Sequence, residues 1–181
     1  MTGTTIRSSS VLITAAVLEQ AAVLGADFYR PLWTGNSGEQ STSETVARHL
    51  EAAADLLDET GWVRTWTVEA GQLGPIEDGA STETMLRHFL DYVREEDAPG
   101  KPATAVAALG RIAGTEHGDP DTRDIAQHVL DLLVQAATGS PAARFSPWAE
   151  RLHRTHAEIT LMLTAAALFA RTYGPAAPAA S

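Results

Sequence analysis

The chain has 181 residues, 44% hydrophobic and 6% aromatic, with no cysteine, 13 basic and 23 acidic side chains and a net charge of −10. That length carries one domain with a real core, and the composition excludes wholesale disorder, disulfides, thiolate zinc sites and cysteine nucleophiles. Lys101 is the only lysine, no basic cluster offsets the acidity, and binding to duplex nucleic acid is therefore not expected.

Residues 1–9 are expected to form a flexible N-terminus, residues 10–174 a single helical domain, and residues 175–181, Pro-Ala-Ala-Pro-Ala-Ala-Ser, a disordered tail. A first helix is expected from about Ser10 to Leu24, with Val11, Ala15, Leu18 and Ala22 covering enough of its surface to be largely buried. Arg7 before this apolar run gives it some likeness to a secretion signal. Glu19 and Gln20 interrupt it, which suits a buried helix better, and it is too short and too polar to span a bilayer. Pro31, Gly35 and Gly38 predict a loop that Phe28, Leu32 and Trp33 pin to the core.

The second helix starts with a Ser41–Glu44 capping box. It carries Val46, Leu50, Ala53 and Leu57 on one stripe and stops at Gly61. Glu51, Asp55, Asp58 and Glu59 fall mostly off that stripe and read as a solvated face. Residues 62–70, "WVRTWTVEA", alternate like a strand, but no second strand follows, so at most a short hairpin or extended segment is expected there. A third helix over Thr82 to Glu95 points Met85, Leu86, Phe89, Leu90 and Val93 inward. A fourth, short and alanine-rich, covers Ala103 to Ala113. In the fifth, Asp119 is the N-cap, Pro120 follows at the first helical position, Ile125, Val129, Leu132, Leu133 and Ala136 share a face, and Gly139 stops the helix.

The sixth helix is expected to run unbroken from a Ser146 cap to Tyr173, about 40 Å. Trp148, Leu152, Thr155, Ile159, Met162, Ala166, Phe169 and Tyr173 recur on it in alternating steps of four and three, a seam of a and d positions. Leu161, Leu163, Ala165 and Leu168 make its second half apolar all round, which suits a central helix or a subunit interface. Trp148, Leu152, Ile159, Met162, Phe169 and Tyr173 are the expected interface residues, together with helix one. Glu150, His153 and His156 fan outward from the seam rather than converge. Glu150 and His153 make one Glu-x-x-His element, and the chain has no second one for a di-iron bundle. The helix faces leave His49, His128 and His156 as the one conceivable three-ligand metal site; ordinary boundary histidines are the preferred reading.

No phosphate-binding loop, dinucleotide fingerprint, zinc-protease motif or nucleophile elbow occurs, so no catalytic residue is assigned and no cofactor is expected. "SETVARHLEAAADLLDETGWVRTWT" (Ser43 to Thr67) and "DTRDIAQHVLDLLVQAA" (Asp121 to Ala137) together resemble a small helical family common in actinobacteria and catalogued as a domain of unknown function. The resemblance covers about Ser43 to Ala137 and implies no activity. It places Glu116, His117, Gly118 and Asp119 where the family shows Trp-Asn-Asp, and the family's Cys-Gly-Ala is missing.

The fold expected is all-α, a single-domain bundle of about six helices. The function expected is a non-catalytic, acidic, cytoplasmic protein that acts by protein–protein interaction and self-associates, touching neither nucleic acid nor membrane. Its alternatives are a bundle that binds a small molecule or metal and, beyond that, an acidic decoy of a DNA-binding protein.

Overall fold

The computed structural model describes residues 13–65, 79–96, 98 and 100–176. Among them the chain is all-α. Its helices are α1 (Ala15–Ala26), α2 (Ser43–Thr60), α3 (Thr82–Glu96), α4 (Ala105–Ala113), α5 (Pro120–Thr138), α6 (Phe145–Ala149) and α7 (His156–Tyr173). No strand occurs among the described residues. Trp62 makes only an isolated bridge to Ala103, and the rest of the alternating segment, from residue 66, lies outside the described residues. So do the expected N-terminal arm and the last five residues of the tail. None of the described helices is long and apolar enough to cross a membrane.

The centre is the pair α2 and α7, which pack on each other more extensively than any other two helices, with α4 and α5 closing the core around them. The stripe expected on α2 is its buried face: Val46, Leu50, Ala53 and Leu57 are all fully inaccessible. Burying a leucine this way contributes roughly 1.5–3 kcal/mol. The helix begins one residue later than the Ser41 box implies. Thr42 is the N-cap and its side chain accepts from the Thr45 N–H, while Gly61 ends the helix at a φ of 93° that other residues rarely adopt. In α5, Asp119 caps, Pro120 leads, and Gly139 closes in the left-handed region, as expected. Helix α1 departs from expectation. It starts at Ala15, and only Ala21 is fully buried, because α1 lies on the outside of α5 and meets it along one side.

The largest correction concerns the C-terminal rod, which is two helices. Ser146 is not its cap: Arg144 holds the cap position of α6 without a side-chain bond, and the Phe145 N–H instead donates to Asp131 Oδ1 of α5 at 2.7 Å. After Ala149 the chain turns, and Thr155 takes an extended conformation and caps α7. Its hydroxyl accepts from the Glu158 N–H while Glu158 Oε2 accepts from the Thr155 N–H at 2.9 Å, a complete capping box. The guanidinium of Arg154, itself buried, lies 4.0 Å from the Trp148 ring centre and 3.0 Å from Glu158, tying the turn to both helices. Leu152, expected in the seam, is 85% exposed in this turn. The four-and-three spacing continues across the break because it does not depend on the chain staying helical.

Candidate interaction surface

Among the described residues, helix α3 is the only long helix whose apolar stripe has no place in the core. Ser81 starts it by accepting from the Thr84 N–H at 3.2 Å, and Met85, Leu86, Phe89 and Leu90 follow in the helical spacing of one face. These side chains were expected to point inward. They are 41%, 56%, 43% and 43% exposed, and among the described residues no other helix packs closely on α3. The physical reason is that α2, α4, α5 and α7 already close one another's apolar faces, so the core offers α3 no further opening. Among the described side chains of this helix, Tyr92 alone is buried. The polar side carries two exposed ion pairs, Glu83 with Arg87 at 2.8 Å and Asp91 with Arg94 at 3.3 Å. A contiguous solvent-facing stripe of this kind marks a contact surface more often than an idle one.

The histidines are not brought together. His49 of α2 is completely buried, not at a boundary, and its Nδ1 lies against the backbone of Gly118. His128 of α5 packs edge-on to Phe28 and lies within 3.4 Å of the Arg30 guanidinium, with Nδ1 2.6 Å from the Asp124 carbonyl. His156 opens α7 with Nε2 3.0 Å from Asp58 Oδ1. His153 is exposed, and Glu150 takes a hydrogen bond from Ser146 Oγ at 2.8 Å. No group of three or more potential ligands converges among the described residues.

Burial holds the His49 imidazole below its ordinary pKa; the backbone carbonyls of Leu109 and His117 and the nearby Asp119 carboxylate favour the charged form but do not prevail. The unfolded chain therefore takes up the proton first. Stability contributed by neutral His49 is complete above about 6.5 and declines as pH falls toward the folded-state value. The denaturant midpoint is expected to drop as the pH falls below about 6.5, and His49→Asn should remove that part of the slope. An unchanged slope in the variant would locate the titration elsewhere.

Across the α2–α7 seam, Arg171 of α7 donates to Glu44 at 2.9 Å and to Glu51. Hydrogen bonds from Arg171 and Arg48 hold the Glu44 carboxyl down at about 2. Glu51, read as part of a solvated face, is thus a tie between the two central helices. A second feature is an open groove of about 340 Å³ between α1, the following loop and the end of α7. Pro31, Leu32, Trp33, Phe169 and Tyr173 line it, with the Trp33 and Phe169 rings stacked at 6.2 Å.

The residues expected at an interface have mostly another use. Trp148, Ile159, Met162 and Phe169 are 2% exposed or less, spent on this chain's own core, which leaves them no surface to offer a second molecule. Leu152 at 85% and Tyr173 at 39% do face solvent, as do Leu161 and Leu168 on the outer side of α7, so that helix is not apolar-buried all round. The sequence carries the signal for α3 in a stripe as regular as that of α2. Periodicity says that a face is apolar; it does not say which faces find a partner inside the chain.

A model described as a family of unknown function matches residues 41–168. No curated protein and no solved structure matches the chain.

Proposed function

Since the chain belongs to the DUF6197 family, whose function is unknown, we propose from its own residues that it is a non-catalytic, acidic helical protein that works by binding protein. The observation that carries this reading is the stripe Met85, Leu86, Phe89 and Leu90, more than two-fifths exposed on a helix that no other described helix packs on closely. A binding surface of four neighbouring apolar side chains rimmed by charges has the composition of an interface core with its polar rim. A cytoplasmic location belongs to the same proposal, and the lack of cysteine is compatible with it. The double variant Leu86→Lys/Leu90→Lys should fold as the parent does, because both residues are exposed and a lysine stem can cover the same surface with its ammonium in water; exposed substitutions change stability by about 0.5 kcal/mol or less. The companions that the immobilised parent retains from its native host should be missing from the variant's eluate. Identical eluates would refute the assignment of this surface.

A second reading, small-molecule binding, is favoured by the aromatic groove beside Trp33 and Phe169. Its size falls at the lower end of ligand pockets, roughly 300–1,000 Å³. A ligand stacking there should quench the Trp33 fluorescence, and Trp33→Leu should lose affinity for it.

A further inference from the structure

The surface on α3 fits a second copy of itself, and we infer that two chains pair through antiparallel α3 helices around a two-fold axis at Phe89. This rests on the reading of α3 as the contact surface and names its occupant. An isologous contact needs a face that is complementary to its own rotated image. The stripe meets that condition. It runs from Met85 to a partly buried Val93 with Phe89 at its middle, so rotation about Phe89 lays Met85 against the accessible part of Val93 of the second copy and Phe89 against its counterpart.

The charges agree with the same rotation. At about 100° per residue, Glu83, Arg87 and Arg94 lie together along one border of the stripe, beside Leu90. Antiparallel pairing brings like borders together. Glu83, near one end, then comes beside Arg94 of the second copy, near the other end, and the symmetry makes this contact twice. Parallel pairing would bring unlike borders together, leave the two Glu83 side chains at the same height on opposite sides of the contact, and form no such ion pair. Both Glu83 and Arg94 are exposed and free to turn, since their present partners, Arg87 and Asp91, are one helical turn away on the same helix. Helix α3 is about 22 Å long, so a contact confined to it falls below the standard interface of roughly 1,600 Å². The pairing is accordingly reversible and concentration-dependent.

The 181 residues include no cysteine, which allows a direct test on this chain. Phe89→Cys places a thiol on the proposed axis, opposite its own copy, and mild oxidation should link most of the protein as a dimer. Asp91→Cys places the thiol on the opposite side of the helix and should leave it monomeric. Sedimentation of the parent should show a monomer–dimer equilibrium. Glu83→Arg should weaken it by about fivefold or more, two exposed ion pairs being replaced by two repulsions, and adding Arg94→Glu should restore it. A parent that stays monomeric at high micromolar concentration, or equal linkage through both thiols, overturns the self-pairing. If the parent is monomeric while Leu86→Lys/Leu90→Lys still strips companions from the eluate, the surface stands and its occupant is a different protein. If neither changes, both readings fall.

Discussion

Replacing Ile159 by aspartate is expected to unfold the protein, not to separate two copies of it. Ile159 sits in the first turn of α7 and is completely buried against the core formed with α2. The substitution leaves a carboxylate there with no partner, at a cost of several kcal/mol even if it takes up a proton. An acidic side chain near a helix N-terminus gains about 0.3–1 kcal/mol from the helix dipole, which does not offset that cost. A domain of this size is stable by about 5–15 kcal/mol in all, so the cooperative thermal transition should disappear or move far down in temperature. Leu161→Asp is the matched control. It lies two residues along the same helix but is 51% exposed, and its melting point should barely move. If Ile159→Asp melts like Leu161→Asp, the inward face of α7 has been assigned wrongly.

The second large effect is expected at Gly118. A Cβ built there lies 2.2 Å from Nδ1 and 2.8 Å from Cε1 of His49, and 3.1 Å from the Ile112 carbonyl. The imidazole cannot swing aside, because it is buried on every side within α2's contact with α4 and α5. Gly118→Ala must therefore shift backbone, and overpacking of this kind costs about 1–3 kcal/mol. Gly110→Ala gives the opposite sign. Gly110 lies within α4 with nothing within 4 Å of the added methyl, so the gain in helix propensity should stabilise the protein by about 0.5–1 kcal/mol. Paired thermal melts of the two variants check both numbers. Equal shifts would mean that His49 does not lie against Gly118.

Much of this architecture is written in local signals. Asp119 followed by Pro120, with Gly139 at the far end, marks α5 because each residue type fits only that part of a helix terminus. Val46, Leu50, Ala53 and Leu57 mark α2 for the same kind of reason: a single face repeats at the helical period. The C-terminal rod was misread although its break was also visible. Thr155, His156, Ala157 and Glu158 form the same capping-box pattern that identified a helix start before α2. It was masked by Ser146 and Pro147, which resemble a start upstream, and by a seam that stays in phase through the turn. Exposure was harder to read. The stripes of α2 and α3 look alike on paper, yet one is fully buried and the other is in water. That difference depends on how many apolar faces the core can accept, which is a property of the whole assembly of helices and not of either segment. For the histidines, face positions located His156 near a boundary correctly but missed the burial of His49. What encloses its ring is Gly118, almost seventy residues away in sequence.

The segment that follows α7 also bears on how the protein comes into being. The Ser43 N–H at the start of α2 donates to the Pro175 carbonyl at 2.9 Å, and a Cβ on Gly174 would meet the Ser43 Cβ at 2.8 Å. The two helices with the greatest mutual contact are thus fastened together by residues that are synthesised after every described helix. While synthesis proceeds, the side of α2 that packs on α7 must wait uncovered until α7 has emerged, a long-range closure of the sort that folds slowly and invites chaperones. A nascent chain stopped before residue 156 should consequently bind a chaperone holdase, whereas one released after residue 176 should not.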